Sequence, residues 1–221
     1  MDNLRIISNQ FLRGFEKLPG INLLQVAQIN NKNILMFPKV GSRTIRDTIL
    51  KTNKLKMNNQ AWRHIRYVSR NNFRTKYNNE NTFIPLRHPL DRLFSCWKQK
   101  ISSQRDNGIF YFFNYYPLLK KDMSFIDFLR AIKRIHIKYH EKHFIPLGHF
   151  IGELEEMNYS FFSISDLNKT LSGFSGSGIK KKSNTTKSRK ISRKEKEYYF
   201  LNLSNFYKLD EDLYATYAKK L

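Results

Sequence analysis

Acidic residues are scarce in this chain of 221 residues: 18 Asp and Glu face 40 Lys and Arg, a formal net charge of +22. A chain so basic draws anionic partners and repels basic ones. Nucleic acid, an acidic membrane surface, an anionic cofactor and an acidic polysaccharide all suit it. Cysteine is nearly absent. Cys96 stands alone, which excludes an intrachain disulfide framework and suits a reducing compartment. No apolar run approaches the roughly 20 residues a membrane-spanning helix needs. The opening MDNLRIISNQFLRG lacks the unbroken apolar stretch of a secretion signal, so a cytoplasmic location is expected, with peripheral membrane contact allowed by the charge. The kinase-type loop G-x-x-x-x-G-K-[ST] does not occur, nor does H-E-x-x-H, and no RRM, KH, zinc-finger or helix-turn-helix signature is present. The length suits one α/β domain over 1–221, without internal repeat.

What is present centres on residues 33–50, NILMFPKVGSRTIRDTIL. Ile34 to Phe37 is a continuous apolar run, which predicts a strand covered on both faces. Pro38 stops it, Gly41 turns the backbone, and Ser42 is the expected N-cap of a helix burying Ile45 and Ile49. Such a turn aims backbone N–H groups and a positive helix end at one spot, an anion site beside the charge of Lys39. An ordinary strand-turn-helix connection with a solvated lysine has the same local pattern.

Along the rest of the chain, residues 1–32 read as an N-terminal arm packed on the sheet. Residues 54–80 are polar, with AWRHIRYVS as a short strand or loop at the sheet edge. Thr82–Leu86 is a second buried strand with Arg87 at its carboxyl end, and Pro89 opens a helix whose stripe is Leu90, Leu93, Phe94, Trp97 and Ile101. Residues 104–121 are aromatic, either a lid over a cleft or a satellite of the core. Ser124 with Asp127, and Ser192 with Glu195, match capping boxes. His140, His143 and His149 cluster, but their spacing with Glu141 fits no metal motif, so no metal is expected. Tyr159–Ile164 reads as a strand, Asp166 to Phe174 as a short helix, and Leu209–Tyr217 as the closing helix. Residues 172–190 form a flexible basic loop; between 180 and 196 nine Lys or Arg face the single acid Glu195.

In open α/β sheets ligands sit outside the carboxyl ends of the strands, where both the 38–44 turn and Arg87 fall. Arg87 as a fork and Ser95 as a hydroxyl donor suit one phosphate. Two anion sites at one rim suggest a ligand with two separated charged groups.

These segments resemble the carbohydrate sulfotransferases of the heparan 2-O-, chondroitin and HNK-1 type. The first motif, P-K-x-G-[ST]-x-[TS], is matched by Pro38, Lys39, Gly41, Ser42 and Thr44; the second, R-x-P-x-x-R-x-x-S, by Arg87, Pro89, Arg92 and Ser95. His143-Phe144-Ile145-Pro146 and the segment Ser183 to Lys187 are similar to weaker downstream elements. The order holds across roughly 33–217. Arg43 departs from the small residue usual between Ser and Thr, which suggests an extra contact to an anionic acceptor.

The resemblance implies a P-loop-like three-layer α/β fold with a central, mostly parallel sheet. It implies 3′-phosphoadenosine 5′-phosphosulfate (PAPS) as sulfuryl donor and a carbohydrate hydroxyl as acceptor, with no metal. Pro38, Lys39, Gly41, Ser42, Arg43 and Thr44 would hold the 5′-phosphosulfate. Arg87, Arg92 and Ser95 would hold the 3′-phosphate, and Asn184, Thr185 and Lys187 would fold over the nucleotide. Lys39 would act on the leaving oxygen. The general base would be His64, placed much as in the heparan 2-O enzymes, or else His143. A nucleic-acid-binding module and a kinase-like nucleotide enzyme are the alternatives.

Overall fold

The structure, a computed structural model, describes residues 23–55, 61, 63–102, 116–152, 157–176 and 189–218. Its strands are β1 (Leu24–Ile29), β2 (Lys32–Leu35), β3 (Ile65–Val68), β4 (Thr82–Leu86) and β5 (Ser160–Ser163). Its α-helices are α1 (Ser42–Thr52), α2 (Arg70–Lys76), α3 (Pro89–Lys100), α4 (Phe125–Arg134), α5 (Gly148–Ile151), α6 (Leu167–Ser175), α7 (Arg193–Asn202) and α8 (Lys208–Tyr217).

The strands form one sheet in the order β3-β1-β2-β4-β5. β2 pairs parallel with β4 and β4 with β5, whereas β1 is antiparallel to both β2 and β3. The sheet is therefore mixed: parallel through β2, β4 and β5, with the reversed strand β1 between β2 and β3. The reversal comes from Leu24–Ile29, which the sequence reading left in the N-terminal arm. LQVAQI is buried on both faces, Leu24 and Val26 on one and Ala27 and Ile29 on the other, with Gln28 exposed, and it folds back on β2 through Asn30. Asn30 holds φ at 50°, a conformation asparagine tolerates in two-residue hairpin turns.

Alternation along the strands splits the core into two faces. Ala27, Ile29, Ile34 and Met36 pack with Ile45 and Ile49 of α1 and Leu171 of α6. Leu24, Val26, Leu35 and Phe37 pack on the opposite side with Phe73 of α2, Phe150 of α5 and Leu213 of α8. A third cluster, rich in aromatics, joins α3, α4 and α7. Both expected serines cap their helices, and one of the two forms the full capping box. Ser124 accepts from Asp127 N–H at 3.1 Å, and Ser192 and Glu195 form a reciprocal box at the start of α7. Helix α2, capped by Ser69, was not anticipated within 54–80.

β2, β3, β4 and β5 run one way, so the chain leaves β2 for the 38–44 turn and β4 for Arg87 at the same rim. That rim carries the site.

Candidate functional site

The turn after β2 is tightly specified. Met36 and Phe37 stay buried beyond the last paired residue, and Lys39 adopts φ 69°, which a residue with a Cβ rarely does. Gly41 has φ 91°, and a Cβ there would run into Leu167 Cδ2, so glycine is required on both counts. Gly41 also corrects the expected cap: it is the N-cap of α1, with no side-chain hydrogen bond, and Ser42 is the first helical residue. The Ser42 hydroxyl instead donates back to the Phe37 carbonyl at 3.2 Å. Helix α1 thus begins without a side-chain cap and without an acid in its first turn, leaving its positive end uncompensated by its own side chains. Pro38 and Thr44 are half-buried and Arg43 is exposed.

Lys39 points its ammonium at Gln99 Oε1 of α3 and is hydrogen-bonded to it. Burial pulls its pKa down to about 8, helped by the neighbouring Lys100 and Arg87 and opposed by Cys96 and Glu141. Arg87 Nη1 donates to the Lys39 carbonyl at 3.0 Å, so the second motif is tied to the strained residue of the first. Burial lowers the Arg87 pKa too. Ser95 is half-buried on α3, one turn before Gln99 on the same side.

Arg92 is not at the rim. It is 2% exposed, and its guanidinium donates to Ile145 O at 2.7 Å, reaches His143 O at 3.5 Å and pairs with Asp210 at 3.4 Å. The rings of Phe37 and Tyr207 lie 4.8 and 5.9 Å from it. These partners hold its guanidinium in the interior, which corrects its assignment to a nucleotide phosphate.

The same clamp holds the segment that carries the second candidate base, His143. His143 Nδ1 lies 2.6 and 2.7 Å from the two oxygens of Glu141, which also accepts the His143 N–H at 2.7 Å. Burial lowers the His143 pKa against the pull of Glu141, and Lys100 and Lys39 lower it further. Lys39, Lys100, Glu141 and His143 therefore form one interacting group. His64 is not part of it. It immediately precedes β3, level with Asn33 through the register Ile65–Ala27–Ile34. Along β2 that is four residues below Phe37, about 13 Å at 3.3 Å per residue, toward the opposite end of the strands.

His88 caps α3 by accepting from Leu90 N–H at 3.2 Å and lies 3.1 Å from Glu211. Asn184, Thr185 and Lys187 lie outside the described residues, as do Trp62 and most of the 104–121 segment. Among the described residues no group of three or more His, Cys, Asp or Glu side chains could hold a metal ion, and no helix is long and apolar enough to cross a membrane.

Sequence reasoning missed Glu141, Gln99 and Lys100 as members of the site. The Glu-x-His spacing was visible but was weighed only for a metal, and Gln99 follows Ser95 by one helical turn on the polar side of α3. Comparison of the chain with family models, curated proteins and solved structures found no match.

Proposed function

We propose that the chain is a PAPS-dependent sulfotransferase that moves a sulfuryl group to a hydroxyl of a carbohydrate, on a P-loop-like arrangement of β2, the 38–44 turn and α1. The observation that carries this reading is the electrostatic interaction of Lys39, on a turn before a helix without a side-chain cap, with a Glu141-paired histidine. A cation beside anion-binding N–H groups and a nearby base are the two parts an in-line transfer requires.

In this reading the acceptor oxygen attacks sulfur, the bond from sulfur to the bridging phosphate oxygen breaks, and the acceptor proton passes to His143. Lys39 offsets the charge growing on the bridging oxygen. The N–H groups of the first turn of α1, with the Thr44 hydroxyl, hold the sulfuryl and 5′-phosphate oxygens. Arg87 and Ser95 remain for the 3′-phosphate, since Arg92 is engaged in the interior. The net charge of +22 and the exposed Arg43 favour a polyanionic glycan as acceptor.

A thermal-shift titration with adenosine 3′,5′-bisphosphate tests the donor site. At a hundred times its Kd the ligand should stabilise the fold by about 2.7 kcal/mol. Labelled sulfuryl should then pass from PAPS to a polysaccharide. No shift with the bisphosphate, together with tight salt-dependent binding to DNA or RNA, would replace this reading with a nucleic-acid-binding module. A shift with ATP alone would favour a kinase-like enzyme.

A further inference from the structure

We propose that Glu141 is the positioning residue of this site, holding His143 as its Nδ1–H tautomer so that Nε2 carries the lone pair. The proposal deepens the sulfuryl-transfer reading and, for its catalytic part, rests on it. Glu141 is 5% exposed, and a carboxylate is kept so deep only against compensating donors. Among the described residues its donors come from one residue: the His143 N–H and the His143 ring. An ionised carboxylate only accepts, so the ring nitrogen facing it must carry hydrogen. His143 beside it holds the Glu141 pKa below the ordinary carboxylate value even though burial works to raise it.

The backbone around the pair is fixed as firmly as the ring. The Glu141 carbonyl accepts from Phe144 N–H at 3.0 Å and Ile145 N–H at 2.9 Å. Carbonyls 143 and 145 face Arg92, and the Phe144 carbonyl accepts the Tyr207 hydroxyl. Asp210 then accepts Leu147 N–H and Gly148 N–H, each at 2.8 Å. The imidazole is thus oriented by its own segment, by α3 through Arg92 and by the C-terminal region through Tyr207 and Asp210. The charges that interact with it include Glu141 from its own segment, Lys39 from the 38–44 turn and Lys100 from α3. A proton taken up on Nε2 would leave an imidazolium against a carboxylate, which stabilises the charged form as transfer proceeds.

Glu141→Gln separates positioning from packing. The amide oxygen is drawn to the His143 N–H, which turns the amide NH2 toward Nδ1 and forces the ring proton onto Nε2. Ring nitrogens of the full chain labelled with 15N-histidine report this by long-range 1H–15N correlation, with His143 assigned by the loss of its signals in His143→Gln. The wild type should show hydrogen on Nδ1, and Glu141→Gln should show the reverse. The kcat of sulfuryl transfer should fall at least 100-fold in Glu141→Gln, with the KM for PAPS unchanged. Hydrogen on Nε2 in the wild type overturns the proposal, as does a Glu141→Gln protein of native melting temperature and undiminished kcat. If Glu141→Gln fails to fold, the wild-type spectrum decides alone. A wild type with the Nδ1–H tautomer but no sulfuryl transfer rejects the enzyme reading while leaving the positioning of the ring established.

Discussion

Arg92 and Asp210, 118 residues apart in sequence, meet in the interior with Arg92 Nη2 3.4 Å from Asp210 Oδ2. The pair does more than neutralise two charges. Arg92 takes the carbonyl side of residues 143–145 and Asp210 takes the N–H side of residues 147 and 148. Between them they fasten the segment that carries His143 to α3 and α8.

Removing either partner should therefore be severe. Asp210→Ala leaves a guanidinium buried without its countercharge and two N–H groups without acceptors. Breaking a buried pair in this way costs about 3–5 kcal/mol. Urea unfolding should show that loss as a lowered midpoint with little change in slope. A loss below about 1 kcal/mol would mean that the segment is held by other contacts.

Gly41→Ala should destabilise the turn through two separable effects. The left-handed backbone costs an L-residue roughly 1–2 kcal/mol. Overpacking against Leu167 adds about 1–3 kcal/mol. Adding Leu167→Ala makes room for the new methyl group but cannot relax φ. Measured by equilibrium unfolding, the double mutant should be more stable than the sum of the two single losses predicts. Strict additivity would place the clash elsewhere.

Lys39 should leave a signature in the dependence of stability on pH. Its pKa is about 8 in the fold against 10.5 for the ordinary side chain, with burial as the main cause. Between those values the unfolded chain binds the proton and the folded chain does not. Stability therefore rises with pH across that window. Below it, the buried ammonium is a standing penalty. Lys39→Met should accordingly be more stable than the wild type at pH 7, and the advantage should shrink by pH 10. Chemical denaturation at the two pH values checks this. An advantage equal at both would show that Lys39 does not titrate in the window.

Local chemistry made much of this fold legible in the sequence, because caps and strand stops act over a few residues. Pro89 at the first position of α3, the Ser124 and Ser192 caps, and the exact span of β4 follow from their immediate neighbours. The place of β1 did not, because a hairpin partner depends on a register that only β2 and β3 define. Arg92 was misplaced for a related reason. The resemblance of the second motif implied a phosphate contact for it, and the apolar stripe of α3 accounted for only one buried side. In the fold Arg92 and Cys96 are buried as well, because residues 143–145 meet the helix beside that stripe. Such enclosure depends on a contact 51 residues away, which no periodicity within α3 reveals.

Arg87→Ala should weaken the donor site without dismantling the sheet. The side chain is half-buried at the rim, and among the described residues its one hydrogen bond is to the Lys39 carbonyl. A hydrogen bond to a charged group is worth about 1.5–3 kcal/mol, so affinity for adenosine 3′,5′-bisphosphate should fall about 10- to 150-fold. Calorimetric titration provides the measurement, and adenosine 5′-phosphate, which lacks the 3′ group, provides the control. Arg87→Ala should affect the control far less. Equal losses for both ligands would assign Arg87 to the 5′ end or to the shape of the turn.

The two candidate histidines make opposite predictions. His64 precedes β3, toward the end of the strands opposite the 38–44 turn, whereas His143 shares the electrostatic field of Lys39. A general base contributes about 10²- to 10⁴-fold to the rate of the step it assists. His143→Ala should therefore lower kcat by at least about 100-fold with donor binding intact, and His64→Ala should leave kcat within about twofold of the wild type. The control is the thermal shift with adenosine 3′,5′-bisphosphate, which both variants should retain, because neither histidine is among the groups assigned to the nucleotide. Should His64→Ala abolish turnover with that shift preserved, the base would have to reach the donor from the other end of β3. The arrangement of Lys39, Glu141 and His143 would then be structural, and the acceptor would have to approach across the edge formed by β3.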